Sequence, residues 1–252
     1  MEETVKITSP SNSYIKVLYK LKDKKTRKQE NKFIVEGAHL VEEAYKAHAL
    51  LEILTTNDKY INEYKDVKII KVSEEILKKL SDTTTPQDIL GIAKICEHEI
   101  DNNKIKHVLI LDDVKDPGNV GTLIRTSLGF NIDLIILSED SCDIYNSKTI
   151  RSSQGAIFSV PCIYSALVPI LETLKQHNIK TISTSLNANT TIKDIDKLDK
   201  YAIILGNEAN GVRDIIQEKA DINVIIPINK KLESLNVAIA GAILMYEVNK
   251  WK

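Results

Sequence analysis

The sequence predicts two α/β domains in series, the smaller over residues 1–98 and the larger over 105–252, joined by a linker at 99–104. Three observations carry this reading. Short apolar runs alternate along the chain with segments of three-to-four apolar spacing, the mark of strands and helices taking turns. Runs such as Val108-Leu109-Ile110-Leu111 and Ala202-Ile203-Ile204-Leu205 are continuously apolar, as expected of parallel strands with helices on both faces. The stretch EHEIDNNK at 97–104 is almost without apolar content and forms the best boundary in the sequence.

The first half opens with a basic helix over 13–30, followed by the strand Phe33-Ile34-Val35. A helix over 38–48 follows, with Leu40, Val41, Ala44 and Tyr45 on one face. Strands are expected at Leu51 to Leu54 and Val67 to Val72. Ser73 then opens a helix whose first turn holds Glu74 and Glu75, where acidic groups complement the dipole, and Ile89 to Ile95 closes the half as a strand. In the second half, strands are expected at 107–114, 132–138, 158–164, 180–186, 201–206 and 222–228. Helices are expected at 119–130, 146–156, 166–178, 210–220 and 235–250. There is no internal repeat.

At 252 residues, 43% hydrophobic and 27% charged, the composition is that of a folding globular chain and excludes a fibre or a disordered protein. Cys96, Cys142 and Cys162 contain no CxxC pair, which leaves a disulfide framework and a zinc ribbon unsupported, and reduced thiols are expected. No metal site is expected. No apolar run reaches the roughly 18 residues of a membrane span, and the start MEETVKITSPSN lacks the order of a secretory signal. A cytoplasmic protein with no membrane partner is expected. The net charge of −1 hides a basic stretch from Tyr14 to Lys32, where eight basic side chains stand against two acidic ones. That density suits a polyanion such as RNA, and charge alone is equally compatible with a solvated helix face.

In an open α/β sheet, chemistry gathers at the carboxyl ends of strands. Three loops there are polar: DDVKDPGNVGTLIRT from Asp112, LGNEANGV from Leu205, and IPINKKLESLNVA from Ile226. Singly, each has an ordinary reading. Pro-Gly and Asn-Gly make turns, and Asn119 is a good helix cap. No GxxxxGK[ST] is present and no GxGxxG follows a strand, which argues against a nucleotide-hydrolysing loop or a dinucleotide site.

Together and in order, DPGNVGTLIRT, LGNEANGV and IP…ESLNVA resemble the three motifs of the SpoU (TrmH) family, RNA ribose 2′-O-methyltransferases of the SPOUT superfamily. Arg151-Ser152-Ser153-Gln154-Gly155-Ala156 matches the family's RxSxGA stretch, and ITSPSNSYIKVLYKL…ENKFIVEGAHLVEEA resembles the RNA-binding domain of its ribosomal-RNA branch. The resemblance implies an α/β-knot catalytic domain with a deep carboxyl-terminal trefoil knot, bound S-adenosylmethionine, and a homodimer whose interface completes the site. By motif position it implies that Leu186, Gly206, Asn207, Ile226, Leu235 and Asn236 hold the cofactor. It implies likewise that Asn119, Arg125, Glu208, Ser234 and Asn236 form the polar catalytic set, and Lys20, Lys24, Lys25, Arg27, Lys28 and Arg125 are expected to meet RNA.

These residue types suit the reaction. Methyl transfer to a ribose hydroxyl is an in-line displacement that needs alignment and help with one proton. A guanidinium does not readily give up its proton, so Arg125 is expected to grip a phosphate and steady the developing alkoxide. Glu208 is the other candidate base, or else it orients Asn119 or a main-chain amide. Ala209, Lys230 and Ala238 stand where the family more often has glycine, glycine and serine, and Lys230 is expected to bear on cofactor affinity. The expected function is therefore 2′-O-methylation of ribosomal RNA, most readily 23S. The alternatives are a transfer-RNA ribose methyltransferase and a non-catalytic RNA-binding protein of the same fold.

Overall fold

The computed structural model describes residues 5–64, 66–96, 98, 101 and 104–250. Most of the expected linker, and the last two residues, lie outside them. The chain divides into two compact units, one of Met1–Glu97 with Tyr145–Phe158, the other of His98–Ile144 with Ser159–Lys252. Residues 145–158, placed by the sequence reading in the second half, thus pack with the first unit.

The first unit runs β1 (Val5–Ile7), α1 (Ser13–Lys20), α2 (Lys24–Glu30), β2 (Lys32–Glu36), α3 (Ala38–Lys46), β3 (Leu50–Thr55), α4 (Lys59–Glu63), β4 (Lys68–Val72), α5 (Glu74–Leu80) and β5 (Ile89–Lys94). Its sheet has the order β1-β4-β3-β5-β2, with β1, β4 and β3 parallel and β5 antiparallel to both neighbours. The single basic helix expected over 13–30 is two helices. Asp23 breaks it, because its Oδ2 accepts the Thr26 amide at 2.9 Å and so starts a new helix. β1 and α4 carried too few apolar residues to be read from the sequence.

The second unit runs β6 (His107–Asp112), α6 (Pro117–Gly129), β7 (Leu134–Leu137), then, after α7 (Ser147–Ser153) in the first unit, β8 (Cys162–Tyr164), α8 (Leu167–Gln176), β9 (Lys180–Thr184), β10 (Tyr201–Gly206), α9 (Asp214–Lys219), β11 (Ile222–Val224) and α10 (Val237–Asn249). All six strands are parallel, in the order β11-β9-β10-β6-β7-β8. The expected strand at 158–164 shrinks to β8, its start taken by a 3₁₀ turn at Ala156–Phe158. Leu171 and Leu174 of α8 and Ile216 of α9 pack with Ile110, Ile136 and Ile204 on one face. On the other, α6 and α10 meet so closely that a methyl on Gly241 would stand 2.5 Å from Leu123 and 2.7 Å from Leu205.

This order has a consequence for function. From β6 the chain moves outward to β7 and β8, then crosses back and fills the other side with β9, β10 and β11. The reversal falls between β6 and β10, where Asp112 stands in register with Gly206. Crevices at such switch points, outside the carboxyl ends of the strands, are where open α/β sheets bind ligands.

Candidate active site

At the carboxyl end of β6, Asp116 caps α6 by accepting the Asn119 amide at 2.9 Å. The helix cap is therefore Asp116 and not Asn119, whose side chain is left for other work. Its Nδ2 donates to Glu208 Oε1 at 3.0 Å, and its Oδ1 accepts from Asn236 Nδ2 at 2.9 Å. Asn236 in turn caps α10, its Oδ1 accepting the amides of Ala238 at 2.9 Å and Ile239 at 3.3 Å. One chain of hydrogen bonds thus joins all three polar loops, residues separated by 89 and 117 positions in sequence.

Glu208 accepts further from the amides of Asp116 at 3.0 Å and Lys115 at 3.2 Å. Partial burial works to raise its pKa. The bonds from Asn119 and from the amides of Asp116, Glu208 and Lys115 outweigh that and hold the carboxyl below its ordinary value. A carboxylate so engaged is a fastening, ionised at neutral pH, and a poor proton acceptor.

The loop bearing Glu208 is tightly closed. Asn207 and Gly211 exchange backbone bonds of 3.0 and 2.9 Å, and a methyl on Gly206 would collide with the backbone of Gly211 and Val212. Gly211 has φ +69°, a conformation that favours glycine. The Asn207 side chain is spent within the protein, donating to the Asp113 carbonyl at 2.9 Å and accepting the amides of Ala209 and Asn210.

Beside this set lies a cleft of about 380 Å³, lined among others by Leu186, Gly206, Asn207, Ile226, Ser234 and Leu235. Asn236 is not in its wall and meets Asn119 instead. The structure thus gathers Asn119, Glu208 and Asn236 into one bonded set, with Ser234 exposed on the cleft. Arg125 is not brought to them. It lies on the exposed face of α6 with Thr122 and Leu128, without hydrogen bond or ion pair among the described residues. Ala209 and Lys230 both have ordinary negative φ, and Lys230 sits in a turn closed by Leu232 N to Asn229 O at 2.9 Å. Neither departure from the motif strains the loops.

In the first unit, Lys20, Lys24, Lys25 and Lys28 are exposed on α1 and α2. Arg27 is not, and its expected contact with RNA is corrected. It is 7% exposed, and its Nη1 donates to the carbonyls of Leu21 at 2.8 Å and Lys22 at 2.7 Å, tying down the α1–α2 corner. Two residues escaped the sequence reading. Asp112, fully buried, is paired with Arg213, which stands one position beyond the second polar loop. A carboxylate at the end of an apolar strand is the available signal, since buried aspartates need partners.

Residues 106–246 match the SpoU rRNA Methylase family and residues 12–91 an MRM3-like substrate binding domain. The chain is 36% identical over 245 residues to the 23S rRNA (guanosine(2553)-2′-O)-methyltransferase RlmP of Bacillus subtilis, covering 96% of this chain and 98% of that protein. It is 31% identical to the 23S rRNA (guanosine-2′-O-)-methyltransferase RlmB of Coxiella burnetii, over 73% of this chain and 77% of the relative. A crystal structure of an RNA 2′-O ribose methyltransferase superposes with a TM-score of 0.85 at 28% identity, covering 98% of this chain and 99% of the other. With both segments matched and near full-length similarity to the Bacillus subtilis relative, the chain belongs to the SpoU rRNA methylase family.

Proposed function

We propose that the chain transfers a methyl group from S-adenosylmethionine to the ribose 2′-hydroxyl of a guanosine in 23S ribosomal RNA. The observation that carries this reading is the set Glu208–Asn119–Asn236 beside an open cleft at the sheet's switch point.

The cleft fits the cofactor. Its volume lies within the roughly 300–1,000 Å³ of small-ligand pockets. Leu186, Ile226 and Leu235 offer apolar surface for a purine, and the carboxylates of Glu208, Asp214 and Glu233 on the cleft suit a cationic sulfonium. Bound there, S-adenosylmethionine supplies an electrophilic methyl group. The backbone around Gly206, Ile226 and Leu235 holds it in this reading, with Asn207 contributing wall rather than polar contacts.

The protein's own part is positional and electrostatic. One Nδ2 hydrogen of Asn119 is fixed on Glu208, and the other has no acceptor among the described residues. It is available to the ribose oxygen, and a donor held rigidly on both sides is what steadies developing negative charge. Arg125 supplies positive charge at the phosphate beside the target. Because it lies outside the bonded set, it acts in this reading from a second copy. An apolar stripe supports that dimer: Leu128 of α6 is 46% exposed, and Ile239 and Tyr246 of α10 are 52% and 54% exposed. The reading includes the carboxyl-terminal knot, supported by α10 contacting α6, β10 and the turn Ile192–Asp194. It includes the exposed lysines of α1 and α2 as phosphate contacts. It also assigns a cytoplasmic place of action; no helix among the described residues is long and apolar enough to cross a membrane.

The test is methylation of 23S RNA from a strain lacking the modification, followed by mapping of 2′-O-methyl positions. A new mark on a guanosine is expected, the position named for the Bacillus subtilis relative being the first to inspect. Cofactor bound without transfer to ribosomal RNA, or transfer to transfer RNA alone, overturns the reading.

A further inference from the structure

We propose that Arg213 is a positioning residue for methyl transfer: paired with the buried Asp112, it holds the 207–213 loop so that Glu208 reaches Asn119.

Asp112 is the last residue of β6 and is fully buried. Its carboxylate is taken up by a single residue. Oδ1 accepts from Arg213 Nε at 2.7 Å and lies 2.6 Å from Nη2, and Oδ2 accepts the Arg213 amide at 2.9 Å. Arg213 directly precedes α9 and ends the loop that carries Glu208. The pair therefore pins the far end of that loop to the end of β6, three residues before Lys115, whose amide donates to Glu208.

The loop's other restraints do different work. The Asn207–Gly211 exchange and the crowding at Gly206 close it on itself, which fixes its shape and not its place against residues 112–119. Beyond the register of Gly206 on Asp112 and the burial of Val212 in the core, its polar placement rests on Asn207 to Asp113, on Glu208 itself, and on the Asp112 pair. Of these, only the Asp112 pair combines a buried charge with three donors. An arginine fork can hold one carboxylate oxygen by two nitrogens while its own amide takes the other, which a lysine cannot reproduce.

Arg213 is not a cofactor contact. Gly211 and Val212 line the cofactor cleft, whereas Arg213 lines a separate crevice with Ser138 and Ser165. Its loss should therefore shift Glu208 away from residues 115–119, while the loop that forms the cleft wall keeps its internal shape through the Asn207–Gly211 exchange.

The kinetic arm rests on the methyltransferase reading; the exchange arm does not. In the full-length protein, Arg213→Gln is expected to lower kcat at saturating S-adenosylmethionine at least tenfold, with the cofactor Kd within threefold. Arg213→Lys should recover part of the rate, and Asp112→Asn with Arg213→Gln should be no slower than the slower single variant. Residue-resolved hydrogen exchange should show the Lys115 and Asp116 amides, the donors to Glu208, opening at least tenfold faster in Arg213→Gln. Unchanged exchange at those amides overturns the proposal, as does a fall in cofactor affinity equal to the fall in kcat. So does a lowered Tm with kcat per folded molecule unchanged. If Arg213→Gln does not fold, Asp112→Asn, of the same size and still offering one acceptor oxygen, carries the same measurements. A parent that transfers no methyl group refutes the methyltransferase reading, and the exchange result then decides the positioning claim separately.

Discussion

Asn236 performs two tasks with two ends of one amide, so single substitutions can part them. Its oxygen caps α10 and its nitrogen donates to Asn119. Asn236→Asp keeps the cap, and adds a negative charge where the helix dipole favours one, but removes the donor. The expected result is an unchanged or higher Tm with kcat down by tenfold or more. Asn236→Ala loses both, with a stability cost of about 0.5–2 kcal/mol for the cap. Equal activity in Asn236→Asp and parent shows that the bond to Asn119 does not matter. At Glu208 the test is pH. A carboxyl held below its ordinary value adds stability that is complete above the ordinary glutamate pKa of about 4.3 and is lost as pH falls through the depressed native value. The rate profile between about pH 6 and 9 should thus carry no limb from Glu208. Glu208→Gln turns an NH2 toward one of three donors and should cost at least tenfold in kcat while leaving the profile's shape alone. A limb in that range that disappears in Glu208→Gln reassigns this residue as the base.

At the scale of elements, the glycines with no room for a side chain separate cofactor binding from folding. Gly206→Ala drives a methyl into the main chain of Gly211 and Val212, which cannot yield as a side-chain tip can, so cofactor affinity should fall more than tenfold. Gly241→Leu instead prises α10 from α6 at Leu123, an overpacking expected to cost about 1–3 kcal/mol or more of stability. Titration calorimetry and thermal melts read the two apart, and wild-type cofactor binding in Gly206→Ala contradicts the loop's assigned role. The same elements show what the sequence could and could not reveal. Continuous runs such as that of β10, buried along its whole length, declared a two-sided parallel strand, and the expected 201–206 matches its span. Loop order declared which strand ends matter. The split at Asp23 was hidden because lysines on both sides favour helix, and only the capping contact shows that the backbone turns. The burial of Arg27 was hidden because charge density says nothing of direction. The Asp112–Arg213 pair was hidden because its members stand 101 positions apart and neither repeats at a helix or strand period.

For the whole molecule, the proposed function has the first unit bind RNA and the second alter it, and the basic helices offer the sharpest test of that division. Phosphate contacts position a nucleic acid without reading its bases, so the amino-terminal lysines should supply affinity and salt dependence and leave the chemistry untouched. Changing Lys20, Lys24, Lys25 and Lys28 together to Gln is expected to weaken RNA binding and flatten its dependence on salt. Each lost contact should remove about 0.9 of a unit of the log–log slope on duplex-like RNA. Cofactor affinity, which the proposed function assigns to the second unit, should stay within error. Arg27→Gln is the internal control, since it removes one positive charge from the helix that carries Lys24, Lys25 and Lys28. Its guanidinium is buried on the carbonyls of Leu21 and Lys22, so its loss should lower stability by about 1–3 kcal/mol while the salt slope per folded molecule is unchanged. A quadruple variant with parental affinity and slope makes the lysines a solvated face. An Arg27→Gln protein that folds as well as the parent but loses slope places that residue on the RNA after all, against the geometry of the α1–α2 corner.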